Sequence, residues 1–254
     1  LQMQPVIHSG DEIETLQNQI IYMVDRIRNL LYDIQCAEQT RHKLEFQILQ
    51  NQINPHFLHN TLNTIRYMAY VQKEENIVTV VDSLSVLLRN NMRANEYLTI
   101  EEEAQSLRSY LEIQQFRYQD ILEYEIEIPE ELYQYKILKM TLQPLVENAL
   151  YHGIKNKRRL GHIRISGQIE GDYLIFEVYD DGSGIDPEKL IRLKKVLDGE
   201  IEEKENPSGF GLYNVQQRIC LNYGQGYGLQ LESEYGEWTR VYVRIPCNKI
   251  KHIS

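Results

Sequence analysis

The sequence predicts an α+β protein in two parts: a helical stretch to about residue 120 that pairs with a second copy of itself, then a sandwich of helices and strands. Three observations predict this. Ile13, Leu16, Ile20, Met23, Ile27, Leu30 and Ile34 recur at alternating steps of three and four, the a/d seam of a parallel coiled coil. Helix-period apolar stripes continue to Asp120, beyond which the period changes to two and short strands alternate with helices. At 254 residues the chain fits one large or two ordinary domains with a buried core.

Taken in order, the seam weakens at Ala37 and Arg41 and resumes at Leu44 and Ile48, so its phase shifts there. A single amphipathic helix packed on its own domain is the competing reading of these residues. Leu49 to Asn63 follows, helix-like, with Pro55, His56 and His59 at its centre. A proline inside a helix removes a backbone donor and costs roughly 3 kcal/mol. A kink there loosens the ladder beside His56 and aims its imidazole outward, while Phe57 and Leu58 point towards a helical partner. Alternatively Pro55 opens a new helix and His56 is simply solvated; this stretch alone leaves both open.

After the polar turn Lys73–Asn76, Ile77, Val80, Val81, Leu84, Leu87 and Leu88 share one helical face. Thr99-x-x-Glu102 is a capping box that opens a further helix, striped by Leu107, Tyr110, Leu111 and Ile113. Two chains joined as a helical bundle would cover these stripes. Beyond them, Glu123 to Ile128 alternates and stops at Pro129. Ile163–Ile169 with Tyr173–Tyr179 reads as a hairpin around Gly171, and Leu229–Ser233 with Thr239–Ile245 as another around Gly236. Helices are expected at about 138–153, 187–198 and 210–223, beside a mostly antiparallel sheet.

The net charge of −10 argues against a nucleic-acid surface, since the only basic run is Lys155 to Arg159. Cys36, Cys220 and Cys247 are too scattered for a metal knuckle, and His56/His59 lack the partners of a zinc helix. No apolar run approaches the ~20 residues that span a bilayer, and no signal peptide is visible. The chain begins with Leu1, inside what reads as an element, and is expected to be part of something longer.

Three stretches of the second part carry chemistry. In Leu142 to Gly153, Glu147, Asn148 and His152 lie within a turn and a half of helix, and the Asn148 carbonyl oxygen can complete a Mg²⁺ shell of waters and phosphate oxygens. Alone, this is also an ordinary amphipathic helix. Asp180-Asp181-Gly182-Ser183-Gly184-Ile185-Asp186 directly follows a strand; its glycines let the backbone approach a ligand, and a carboxylate there can accept from an exocyclic amine. A plain hairpin or acidic loop is the alternative, and the spacing does not fit the calcium loop. Gly209-Phe210-Gly211-Leu212 follows a polar, lid-like run from Gly199 to Ser208 and opens a helix, whose free N–H groups suit an anion. It lacks Rossmann or Walker spacing. The order of all three carries more than any one.

Together these residues resemble the cytoplasmic part of a sensor histidine kinase of the LytS/YesM type, whose phosphoacceptor box reads Gln-Ile-Asn-Pro-His-Phe-Leu and stands here as Gln52 to Leu58. The second part resembles the GHKL (Bergerat) ATP-binding α/β sandwich, with Leu142–Gly153 as N box, Asp180–Gly184 as G1 box and Gly209–Leu212 as G2 box. Tyr110-Leu111-Glu112-Ile113 with Arg117 is similar to the family's second helix, and Asp11-Glu12-Ile13 with its heptads resembles the second helix of a HAMP relay. The resemblance implies three segments: 1–38, HAMP helix and coiled-coil linker; 39–120, dimerisation and phosphotransfer helices; 121–254, ATP-binding catalytic domain.

It also implies roles. His56 accepts the γ-phosphoryl of ATP; Asn148 holds Mg²⁺, with Glu147 beside it polarising water or orienting the histidine. His152 and Lys155 face the phosphates, Asp180 reads the adenine amino group, and Gly182 and Gly184 admit the base. Gly209 and Gly211, with Leu212 closing the box, hinge a lid over the triphosphate. His59 stands where the family has Phe or Tyr and is a rival acceptor; Asn60, one turn after His56, is placed to orient a hydrolytic water on a phosphorylated partner. The resemblance implies a homodimeric autokinase, the cytoplasmic portion of a bacterial cell-membrane protein attached through segments absent from this chain. Its partner would be a response regulator, of the DNA-binding AraC type in this subgroup. An ATP-driven conformational clamp and a catalytically silent dimeric scaffold are the competing functions.

Overall fold

A computed structural model describes residues 55–93, 95–118, 121–155, 160–200 and 210–247. The heptads, the HAMP-like segment, Gln52–Asn54 and Gly209 lie outside the described residues. The chain divides into two compact units, 1–58 and 59–254. Of the first, Pro55–Leu58 is described.

These four residues belong to helix α1, Pro55–Val71. The residues before it, on which a kink depends, are outside the described set. Helix α2, Glu75–Met92, follows a turn at Lys73, whose φ of +59° is left-handed. Its expected apolar face is covered only in part: Val81 is buried, while Ile77 and Leu84 are exposed.

Strand β1, Tyr97–Thr99, runs into helix α3, Ile100–Arg117. The capping box forms: Glu102 N–H donates to Thr99 Oγ1 at 3.1 Å, and Thr99 N–H to Glu102 Oε2 at 3.0 Å. Ile100, Ala104, Leu107 and Leu111 of α3 enter the same core as the strands that follow. α3 thus packs against α2 on one side and the sandwich on the other.

Next come β2, Leu122–Glu127; a 3₁₀ turn, Glu130–Leu132; β3, Lys136–Leu138; and α4, Gln143–Asn148, which continues as a π-helix over Ala149–Ile154. The chain then runs β4 Gly161–Glu170, β5 Tyr173–Asp180, α5 Pro187–Leu197, α6 Phe210–Tyr223, β6 Gly228–Glu234 and β7 Trp238–Pro246. β1 and β3 form a small antiparallel pair, and the other five strands make one sheet in the order β2-β4-β5-β7-β6. Both expected hairpins are present, turning at Gly171 (φ +62°) and Gly236 (φ +87°). β2 lies parallel to β4.

Alternate residues of each central strand explain the layering. Ile163, Ile165, Leu174, Phe176, Val178, Val241, Val243 and Ile245 point one way and are buried in the core. Leu145 of α4, Leu150 of its π-helical continuation, Leu193 of α5 and Ile219 of α6 join the same cluster. Residues of the opposite parity form a cross-strand ladder, with the Arg164 guanidinium 5.3 Å and that of Arg240 5.5 Å from the Tyr179 ring centre.

Candidate functional site

Among the described residues, the helix layer and the sheet enclose an open pocket with apolar walls and a few polar groups, the usual make-up of a small-molecule site. Leu145, Ala149, Val178, Leu193, Leu231 and Val241 give it apolar walls. Its polar groups are few: Asn148 and His152 from α4 and its π-helical extension, Asp180 from the end of β5, Lys189 from α5 and Thr239 from β7.

Asp180 is the most buried of these polar groups, 3% exposed. Its Oδ1 accepts from the Gly182 N–H at 3.0 Å. Gly153 and Gly182 press against it so closely that a Cβ on either would overlap the carboxylate. The DxGxG loop is also tied at both sides. Ser183 N–H donates to Gly153 O at 3.2 Å and Ser183 Oγ to His152 O at 2.9 Å; Gly236 N–H donates to Ser183 O at 2.8 Å. Gly184 has φ +62° and no room for a Cβ against Glu234 O, so glycine is required there on two counts.

The π-helix is the local reason that His152 and Gly153 reach this loop. Lys155 N–H bonds to Leu150 O at 2.9 Å, five residues back, and the wider turn is a form found frequently at functional sites. His152 stands on the rim, where desolvation and then the Lys189 charge hold its imidazole below the ordinary value. Asn148 Nδ2 is buried with no hydrogen-bond partner among the described residues. Gly211, on the first turn of α6, packs beside it; a Cβ there would lie 3.1 Å from that nitrogen.

Of the residues expected from sequence, Asn148, His152, Asp180, Gly184 and Leu212 line the pocket, and Gly182 and Gly211 support two of them. Glu147 and Lys155 do not line it. Neighbours on a helix are about 100° apart, and with Asn148 on the pocket Glu147 turns aside: its Oε1 accepts from Gln143 Nε2 at 3.0 Å. Lys155 holds its ammonium 5.7 Å from the Tyr151 ring centre. His56 and His59 are exposed on α1. Lys189 and Thr239 were not foreseen, because a surface lysine on a helix and a threonine in a strand carry no signal of their own.

Residues 44–122 match the family described as Histidine kinase, and residues 135–249 the family described as Histidine kinase-, DNA gyrase B-, and HSP90-like ATPase. The sensor histidine kinase YesM of Bacillus subtilis (strain 168) is 35% identical over 241 residues, which cover 94% of this chain and 40% of that protein. The chain belongs to the sensor histidine kinases of the LytS/YesM type. Sensor histidine kinase BtsS of Escherichia coli (strain K12) is 34% identical over 204 residues, 80% of this chain and 33% of that one. Sensor protein kinase HptS of Staphylococcus aureus (strain USA300) is 27% identical over 244 residues, 96% of this chain and 46% of the relative. The chain therefore spans less than half the length of these sensor kinases.

Proposed function

We propose that this chain is the kinase core of a two-component sensor: it binds Mg·ATP in the sandwich pocket, phosphorylates itself on His56 and passes the phosphoryl group to an aspartate of a response regulator. One observation carries the nucleotide reading, the carboxylate of Asp180 buried at the pocket floor inside a cradle of glycines. A carboxylate is acceptor-only, so at this floor it suits the amino group of adenine, a donor, and a buried carboxylate is kept where it has such a task or such partners. The apolar walls suit the faces of the base.

The donor set fits the rest of the group. Asn148 Nδ2, without a partner among the described residues, suits a phosphate oxygen, and Asn148 Oδ1 suits Mg²⁺, which takes one or two protein ligands and fills its octahedron with water and phosphate. Mg·ATP supplies the phosphoryl group and neutralises its charge. His152 and Lys189 then stand on the phosphate side, and Gly211 packs against Asn148. Such transfer is mostly positioning and charge neutralisation. Neutral His56 attacks through an imidazole nitrogen, a P–N bond forms as the P–O bond to ADP breaks, and the imidazole proton leaves to water. Glu147 would polarise water or orient the accepting histidine.

Phe57, Ile65, Met68, Ile77 and Leu84, all exposed on α1 and α2, support pairing with a second copy. In this reading the chain is the cytoplasmic portion of a membrane-linked kinase, and its receiver is a response regulator of the AraC type. Incubation with γ-labelled ATP tests the reading: His56→Gln abolishes acid-labile label and His59→Gln keeps it. Hydrolysis of ATP without label on either would support the clamp instead.

A further inference from the structure

Away from the pocket, the helices that carry Asn148 and Gly211 share a joint, the segment Lys139 to Gln143 that leads into α4. Glu103 of α3 is 3% exposed, and its Oε1 accepts from the Leu142 N–H at 3.1 Å, with the Thr141 and Gln143 N–H groups also directed at the carboxylate. From α6, the Arg218 guanidinium donates to Met140 O at 3.2 Å and to Lys139 O. An acid on one helix thus takes the joint's N–H groups, and a base on another takes its carbonyls. Met140, with φ +57°, turns the chain between them.

Other charges complete the surroundings. Lys139 Nζ donates to Asn91 O and, at 3.1 Å, to Arg93 O. Glu96 bears on Arg218, and the Tyr223 hydroxyl, on α6, accepts from Leu138 N–H at 3.0 Å. Arg218 and Lys139 are the cations that bear on Glu103.

We infer that Glu103 and Arg218 are positioning residues that hold α4 and α6 at the separation the nucleotide needs, an inference that rests on the ATP-binding reading above. The site is sensitive to that separation. Gly211 of α6 lies against Asn148 of α4 with no space to spare, and displacements of about 1 Å at such a constellation can cost 10²-fold. Glu103 bonds the α4 entry directly from α3, so a shift of α3 bears on α4 through this bond as well as through the core the two helices share.

Burial pushes the Glu103 carboxyl up to about 7, against the lowering effect of the joint's N–H groups and Arg218. The Glu103 carboxyl is therefore mostly ionised at pH 8 and mostly protonated at pH 6. Equilibrium titration of the intact chain with Mg·ADP tests this, comparing wild type with Glu103→Gln. The expected result is about ten-fold weaker binding by Glu103→Gln at pH 8, falling below two-fold at pH 6, within the usual span of coupling between sites. The ratio cancels the titration of His152 and of the nucleotide. An affinity at pH 8 equal to wild type overturns the inference while leaving the ATP-binding reading intact; about ten-fold weakening at both pH values supports the joint and puts the titration of Glu103 outside this window. Absence of Mg·ADP binding by wild type at both pH values removes the reading and the inference together. Should Glu103→Gln not fold, Arg218→Lys decides at pH 8, since it keeps the charge but loses the two-carbonyl grip: about five-fold weaker binding supports the joint, and wild-type affinity overturns it.

Discussion

Gly153 and Asp180 meet across the pocket floor with space for a hydrogen on the glycine and for nothing larger, because a Cβ would overlap Asp180 Oδ1. Gly153→Ala should therefore move the carboxylate or the π-helix. Overpacking of this kind costs roughly 1–3 kcal/mol, and the displaced acid should weaken nucleotide binding further. The checks are the melting temperature without ligand and a calorimetric titration with Mg·ADP. Wild-type values in both would show that the cradle gives way freely.

Asp180→Asn keeps an oxygen for the Gly182 N–H bond of 3.0 Å and replaces the second oxygen with a donor. A hydrogen bond to a charged group is worth about 1.5–3 kcal/mol, so affinity for Mg·ADP should fall roughly 10- to 150-fold. The variant should also lose preference for adenine over guanine nucleotides. Competition between ADP and GDP reads both effects, and an unaltered preference would place the base elsewhere.

Much of this arrangement was legible in the sequence because turn chemistry and period are local. The two hairpins, the capping box and the order of the glycine boxes needed no distant information. What was lost is what depends on partners. Period two marked β2 as a strand but could not give its parallel pairing with β4. Helix was expected from residue 138, yet Lys136–Leu138 pairs with β1 and α4 starts only at Gln143; Ile137 and Leu138 suit either period. The π-turn leaves no pattern, and it decides where His152 points. Glu101, Glu102 and Glu103 are identical neighbours in sequence, and only the packing of α3 separates the exposed residue, the cap and the buried acid.

His152 gives a prediction with a definite sign. Its imidazole is held below the ordinary value by desolvation first and the Lys189 charge second, so in the window below ~6.5 the unfolded chain binds the proton more readily. The stability this group contributes is present above that pH and is lost as pH falls through the folded value. Lys189→Met removes the lesser cause, so the His152 resonance, followed by NMR titration, should move up without reaching the ordinary value. His152→Gln should flatten the matching part of the stability–pH profile. A resonance that stays in place in Lys189→Met would mean that the two charges do not meet.

The start of α3 offers a test of structure alone. Thr99 Oγ1 accepts from Glu102 N–H at 3.1 Å, and the Glu102 carboxylate answers at Thr99 N–H and also meets Arg93. Thr99→Ala removes one half of the box and leaves an N–H of the first turn without its acceptor, a loss that costs about 1 kcal/mol. For a unit of about 200 residues that corresponds to some 2–4 °C in melting temperature. Thr99→Ser retains the oxygen and should melt close to wild type. If Ala and Ser variants melt together, the hydroxyl does not cap the helix, and the β-region backbone at Thr99 alone fixes where α3 begins.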